Sequence, residues 1–361
     1  MKVLAVNPGS TSTKIAVYED DRLVFERNLP FSDEERAKYP DTLSQLESRC
    51  AIIREALSEE GCANCRFDAV VGRGGLLAPI PSGTYRVSSE MLDYLKLAPR
   101  GEHASNLGAF IAARFAESCG APAFIVDPVS VDELSAEARL SGAPEIERIS
   151  LVHALNQKAM GRKAAASLGR KYEDCRFVIA HLGTGVTLGA HKYGKIVDVT
   201  GAQADGPMSA ERAGQLPADG LVELCFSGRY TKSELRRKLI SGWGLVGYLG
   251  TRDLREIFKR AETEPRTALV LDAYIYQIAK GIGELAAALD GELDAVILTG
   301  GMAHSEQLVE RVTKKIKFLG RILVLPGENE LEALASGALR VLRAEEKAKA
   351  YPSGLEQEEE K

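Results

Sequence analysis

Val3-Leu4-Ala5-Val6-Asn7-Pro8-Gly9-Ser10-Thr11-Ser12-Thr13-Lys14-Ile15-Ala16-Val17-Tyr18 begins with an apolar run, passes a turn rich in glycine and hydroxyl groups, and resumes as a second apolar run. Short apolar runs bounded by turn residues read as buried strands. Asp20-Asp21 then turns the chain into Leu23-Val24-Phe25, so the opening reads as a meander of three strands. The same series returns after residue 176. Phe177-Val178-Ile179-Ala180 leads into His181-Leu182-Gly183-Thr184-Gly185, then Val186-Thr187-Leu188-Gly189-Ala190, the turn Tyr193-Gly194, and Lys195-Ile196-Val197. In both copies a buried strand ends in a polar residue, any residue, glycine and a hydroxyl residue, after which the chain doubles back. A glycine turn alone serves any meander. Repetition of the whole strand and turn order implies a repeated structural unit.

Working outward, helix-like segments fill 105–117 and 150–168, and the second of these could join the two halves. After the second meander come helices over 218–226, a segment opened by the capping box Thr231-Lys232-Ser233-Glu234, 251–261 and 267–289. A strand at 294–298 feeds Thr299-Gly300-Gly301, and a helix follows over 304–317. Strand, Gly-Gly and helix suit contact with a phosphate or nucleotide. Glycine admits a close backbone approach, and the helix start offers free N–H groups.

At 361 residues the chain exceeds one ordinary hydrophobic core, so two domains are expected. Hydrophobic residues at 45% and charged residues at 27% place it among folded globular proteins. The net charge of -5 argues against nucleic acid as a partner. No apolar run reaches the roughly 20 residues of a membrane span, and the start lacks a signal-peptide pattern, so the expected location is cytoplasmic. The six cysteines are dispersed and read as reduced thiols. Cys62 and Cys65 form a CxxC without a second ligand pair, which reads as a loop pair rather than a metal or redox site.

Two strand-turn-strand hairpins and a late strand-Gly-Gly-helix resemble the actin, sugar kinase, Hsp70 and acetate kinase superfamily. The resemblance implies an α/β fold of two duplicated ribonuclease H-like, actin-like ATPase domains with ATP in the cleft between them. The domains would be 1–155, joined by a C-terminal helix at 331–349, and 156–330 with the nucleotide site, followed by a polar tail at 350–361. Val6-Asn7-Pro8-Gly9-Ser10-Thr11-Ser12-Thr13-Lys14 resembles the carboxylate kinase signature N-x-G-S-S/T-S/T-x-K. Val71-Gly72-Arg73-Gly74-Gly75, Ile125-Val126-Asp127-Pro128, His181-Leu182-Gly183-Thr184-Gly185, Pro207-Met208-Ser209-Ala210-Glu211-Arg212 and Pro326-Gly327-Glu328-Asn329-Glu330 resemble butyrate kinases more than acetate kinases within the acetokinase family. Acetate kinases carry a His-Arg run where this chain has Gly72-Arg73-Gly74-Gly75.

The resemblance implies Mg²⁺-dependent transfer of the ATP γ-phosphoryl group to a carboxylate, with ADP as the other product. A carboxylate is already ionised at neutral pH, so it needs no general base. It needs cations and hydrogen-bond donors that hold two anions in line. By resemblance Arg73, His181, Arg212 and Asp127 are catalytic, and Arg73 and His103 bind the acid. Asn7, Asp127 and Glu330 would surround Mg²⁺. Asn7, Gly9, Ser10, Ser12 and Lys14 would grip phosphate from the first hairpin, and Gly183, Thr184 and Gly185 from the second, with Gly300, Gly301 and Met302 facing adenosine. Guanidinium forks match carboxylate and phosphate oxygens. For each arginine the plainer reading is a surface ion pair. Asp127 also ends an apolar strand, where open sheets place ligand groups. His153, His191 and His304 read as structural.

Two extra buried methylenes give butyrate about a 15-fold advantage over acetate. The run Leu76-Leu77-Ala78-Pro79-Ile80 suits either an alkyl chain or an ordinary core. Butyrate is the expected substrate, with isobutyrate or acetate as rivals; an actin- or Hsp70-like ATPase without a small acceptor is the alternative of another class. The family implies a homodimer or higher homo-oligomer.

Overall fold

The computed structural model describes residues 1–201 and 205–352. The chain forms two compact units, Met1–Val131 together with the chain from Asn329 onward, and Asp132–Glu328. The first division falls earlier than the 155/156 expected from the sequence, because the segment after Val131 bonds to the second sheet. Ser135 donates its N–H to Val197 O at 2.9 Å, and Arg148 reaches Val199 O at 2.7 Å. The expected polar tail lies, from residue 353, outside the described residues.

Unit 1 contains β1 (Lys2–Pro8), β2 (Ser12–Glu19), β3 (Arg22–Pro30), β4 (Ala69–Arg73), β5 (Thr84–Arg86) and β6 (Ala123–Val126), in the sheet order β3-β2-β1-β4-β6-β5. Unit 2 contains β7 (Arg176–Leu182), β8 (Val186–Lys192), β9 (Lys195–Thr200), β10 (Ala295–Gly300) and β11 (Ile322–Pro326), in the order β11-β10-β7-β8-β9. Read from the third meander strand, β3-β2-β1-β4-β6 and β9-β8-β7-β10-β11 are the same order. The pairing sense agrees too: each meander is antiparallel, and each first strand continues into two parallel neighbours. Even the irregularity repeats, with a register shift at Val17/Tyr18 in one outer pair and at Ala190/His191 in the other. The duplication read in two glycine turns is therefore a duplication of the whole sheet.

Alternation along β7 shows how each sheet is buried on both faces. Val178, Ala180 and Leu182 join one core with the long helix Pro265–Ala287 and the helix Glu306–Ile316. Phe177 and Ile179 pack with Met160, Ala164 and Tyr172 on the other face. A period of two with apolar residues on both faces gives the continuous apolar run seen in the sequence. In unit 1, Leu4, Val6, Ile15 and Val17 pack against Ile53, Ile111 and Phe115 from the helices Leu46–Glu59 and Leu107–Cys119. The helix Glu330–Leu342 packs on β1, β4 and β6. Among the described residues no helix is long and apolar enough to cross a membrane.

One sequence expectation is corrected. Cys62 and Cys65 are joined in a disulfide with their Cα atoms 4.8 Å apart, not held as two thiols. The turn after the helix Leu46–Glu59 brings them together, with Cys65 N–H bonded to Cys62 O at 3.1 Å. Cys50, Cys119, Cys175 and Cys225 are free thiols.

Candidate active site

In unit 1 the parallel strands β1, β4 and β6 lie side by side, with Val6 opposite Gly72 and Arg73 opposite Val126. Their carboxyl ends therefore set Asn7, Arg73 and Asp127 along one edge of the sheet, the edge at which open α/β sheets gather ligand groups. Glu330, the first residue of the helix packed on these strands, arrives at the same edge. Arg73 Nη1 lies 3.0 Å from Oε1 and 3.1 Å from Oε2 of Glu330. Asn7 donates through Nδ2 to Glu330 Oε2 and accepts from Arg73 at 3.4 Å through Oδ1. The carboxylate, only 11% exposed, is thus gripped by a guanidinium and an amide.

An amide oxygen and a carboxylate are the hard donors that Mg²⁺ takes, with water and phosphate oxygens completing the shell. Asn7 and Glu330 fit that partial set. Asp127 is engaged otherwise: Oδ1 accepts Gly83 N–H at 2.7 Å, and its own N–H donates to Gly83 O at 3.0 Å. Its backbone sits at φ +38°, and the residue is buried. At least one carboxylate oxygen therefore holds the turn at Gly83. Among the described residues no three or more His, Cys, Asp or Glu gather as a metal cluster.

His103 caps the short turn Ala104–Asn106. Its Nδ1 accepts Ser105 N–H at 3.1 Å and contacts Ser105 Oγ at 2.7 Å. An N–H donor fixes Nδ1 as acceptor, so the neutral ring carries its proton on Nε2. The residue is exposed at the surface. Desolvation and repulsion from the Arg73 guanidinium lower its pKa, which favours the neutral ring at pH 7. The first hairpin closes with Gly9 N–H on Ser12 O at 2.8 Å and sets Lys14 opposite Asn7. Ser10 is exposed and Ser12 half-buried.

Leu77, Ala78 and Ile80 of the run after Arg73 are buried in a core with Tyr85, Met91 and Ile125. Of that apolar run, Leu76 is half-buried and Pro79 exposed, so the run is mostly core.

In unit 2, His181 pairs with Thr187 and Leu182 with Val186, leaving Gly183-Thr184-Gly185 as the hairpin turn. Ser209 fastens a second loop to it, donating from Oγ to Thr184 O at 2.8 Å and accepting Arg212 N–H at 3.0 Å. A Cβ at Gly185 would stand 2.7 Å from Arg212 Cζ, so glycine is what lets the guanidinium lie over the turn. Arg212 is half-buried, and desolvation lowers its pKa against a smaller opposing effect of Glu211. Among the described residues its guanidinium has no ion-pair partner. His181 is buried and shares a 2.7 Å hydrogen bond between Nδ1 and Asn156 Oδ1. Thr299 of β10 pairs with His181, and the next residue, Gly300, has φ +89° with a Cβ position 2.4 Å from Leu182 O. Gly301 is exposed, and Met302 Sδ accepts from Tyr274 OH at 3.4 Å.

The sequence-predicted residues thus form two sets, Asn7, Arg73, His103, Asp127 and Glu330 in unit 1 and His181, the turn 183–185, Arg212 and Gly300 to Met302 in unit 2. Sequence reasoning passed over Asn156 and Thr187 and left His153 as a structural histidine. Its ring is stacked on His181, centroids 3.9 Å apart and planes 11° from parallel. Ser209 stood inside a quoted motif, whereas Asn156 carried no local signal.

Two α/β units of one ribonuclease H-like topology, with polar sets at the carboxyl ends of their parallel strands, define a two-domain protein of the actin-like class. The acetate kinase of Porphyromonas gingivalis has the same fold, with a TM-score of 0.79 at 21% identity over 94% of this chain and 99% of that one. The acetate kinase of Entamoeba histolytica gives 0.74 at 19% over 93% and 98%. The propionate kinase of Francisella tularensis gives 0.72 at 18% over 92% and 98%. The acetokinase family profile matches residues 148–349, more than half of the chain. The chain belongs to the acetokinase family, which makes it an ATP-dependent carboxylate kinase by class.

Proposed function

We propose that the chain is a butyrate kinase, transferring the γ-phosphoryl group of ATP reversibly to butyrate to give butyryl phosphate and ADP. A butyrate oxygen forms the new P–O bond in line as the bond to the β–γ bridging oxygen breaks, and the electron pair leaves on ADP. No proton transfer is required. The observation that carries the carboxylate acceptor is the pairing of Asp127 with Gly83 N–H. A hydroxyl acceptor calls for a general base, and one oxygen of this buried strand-end carboxylate is taken up by a turn.

Arg73 and His103 bind the acid, the first as a guanidinium and the second through Nε2–H. Arg212 and His181 hold the transferring phosphoryl oxygens, where charge spreads in the transition state. Ser10, Ser12, Lys14 and the turn 183–185 position the phosphate chain, and Gly300, Gly301 and Met302 the adenosine. Asn7 and Glu330 would hold Mg²⁺, with Asp127 supporting that edge; bound to the phosphates, the ion supplies positive charge there. Butyrate is favoured over acetate by the Gly72-Arg73-Gly74-Gly75 motif, where acetate kinases carry a His-Arg run.

Hydroxylamine trapping of the acyl phosphate tests the class, and turnover across acetate, propionate, butyrate and isobutyrate tests the substrate. Butyrate is expected to exceed acetate in kcat/KM by about 15-fold, the worth of two buried methylenes. A preference for acetate would sink the butyrate assignment. ATP hydrolysis that ignores every acid would instead favour an ATPase without a small acceptor.

A further inference from the structure

Two histidine rings stack in unit 2, and their hydrogen bonds fix where each carries its proton. Asn156 Nδ2 donates to Glu328 O at 2.8 Å and to Gly327 O at 3.2 Å. Carbonyls only accept, so the Asn156 amide cannot be turned, and Oδ1 is the atom that meets His181 Nδ1 at 2.7 Å. His181 therefore carries a proton on Nδ1. In the neutral ring Nε2 is then an acceptor and cannot donate to a phosphoryl oxygen.

His153 is fixed the opposite way. Gln157 Nε2 donates to Thr187 O and to Thr187 Oγ1, both at 3.1 Å, and His153 N–H donates to the same hydroxyl at 3.4 Å. With its lone pairs so used, the hydroxyl turns its proton to His153 Nδ1, 2.8 Å away. Gln157 is itself held by His191 Nε2 at 3.0 Å, and His191 Nδ1 by Tyr172 OH at 2.6 Å. Burial, with Lys158 and Arg162 nearby, keeps the His191 pKa well below its ordinary value, so this end of the chain stays neutral. The result is a neutral His153 ring lying 3.9 Å over His181.

We propose that His181 works as the imidazolium, protonated at Nε2 when nucleotide phosphate is bound, and that His153 and Asn156 are the positioning residues that impose this form. The proposal rests on the phosphoryl-transfer reading above. A neutral aromatic face stabilises a cation stacked on it, and Asn156 excludes the neutral tautomer that could have donated from Nε2. Position agrees with this role: a Cβ at Gly183 would stand 3.1 Å from Nε2, so the glycine turn clears that atom. The groups beside the ring include His153 and Asn156 from the start of the helix Ala154–Ser167, Thr187 from β8 and Thr299 from β10, and the Arg212 guanidinium lies over the adjoining hairpin turn. Anionic phosphates brought to Nε2 favour the charged form of the ring.

Only five histidines are present, so long-range ¹H–¹⁵N spectra of the intact protein can report each ring. His181 is expected as the Nδ1–H tautomer alone and as doubly protonated with ADP, aluminium fluoride and butyrate. A neutral Nε2–H tautomer in either state overturns the proposal. In the kinetic arm His153→Ala is expected to lower kcat at alkaline pH roughly threefold to thirtyfold, the range of a cation–π contact, with KM for ATP and butyrate within about twofold. His153→Phe, which restores an aromatic face, should recover most of that loss. A kcat profile in His153→Ala that superimposes on the parent counts against the stack. Near-parental turnover in His181→Ala would instead sink the role given to His181 in the reaction, while the resting tautomer still judges the hydrogen-bond assignment.

Discussion

Asn7 and His181 occupy the same place in two copies of one sheet topology, each the penultimate residue of a strand that turns back on a glycine hairpin. Asn7 leans on an ion pair supplied by its own unit, Arg73 with Glu330. His181 leans on Asn156 and His153, while Arg212 lies over the neighbouring turn without a carboxylate partner among the described residues. Duplication preserved where the chain turns, not how charge is managed there. Unit 1 balances Arg73 internally, whereas among the described residues Arg212 is left for an anion from outside.

The largest expected effect separates the two arginines by stability rather than by rate. Arg73→Ala and Arg212→Ala should each lower kcat/KM roughly 100- to 1,000-fold, the scale of losing one preorganised donor. Arg73→Ala should also destabilise unit 1, by on the order of 1–3 kcal/mol, because Glu330 loses its cation. Arg212→Ala should leave stability within about 0.5 kcal/mol of the parent. Equal stability losses in thermal melts would break the contrast. Next, Gly185→Ala should lower kcat by about tenfold with little change in melting, since its Cβ displaces the end of a side chain rather than backbone. A large fall in Tm would mean that the turn itself had been strained.

The smallest effect concerns pH. Burial depresses the His191 pKa, and burial with Arg73 lowers that of His103. Both rings are held neutral in the folded chain, so their contribution to stability is complete above the ordinary histidine pKa of about 6.5 and lost as pH falls below it. Tm should therefore drop between pH 7 and pH 5, and His191→Asn should flatten part of that drop. A fall of unchanged size in the variant would assign it to other groups.

Most of the sheet was legible from a few residues, because buried strands and glycine turns are local patterns that period and composition reveal. The helix near 150–168 and the strand feeding Gly300 were legible for the same reason. What escaped was assembled by distance. Asn156 shows its role only when Gly327, Glu328, Thr299 and His181 converge on it from separate segments. His153 looked ordinary because stacking leaves no trace in spacing. The Cys62 and Cys65 pair misled in the other direction: without a second ligand pair the CxxC read as two thiols, and the turn joins them. Leu76 to Ile80 stayed ambiguous because an acyl pocket and a core ask for the same residues.

The discontinuity of unit 1 bears on how the chain is made. Its central strands are complete by Val126, yet the helix that covers them begins at Glu330, after all of unit 2. At a synthesis rate of about 5–20 residues per second, the first sheet emerges roughly 10–40 seconds before its covering helix. During that interval β1, β4 and β6 present one apolar face bare, and Glu330 has not been made. A nascent chain stalled before residue 330 is therefore expected to expose apolar surface that the finished chain covers.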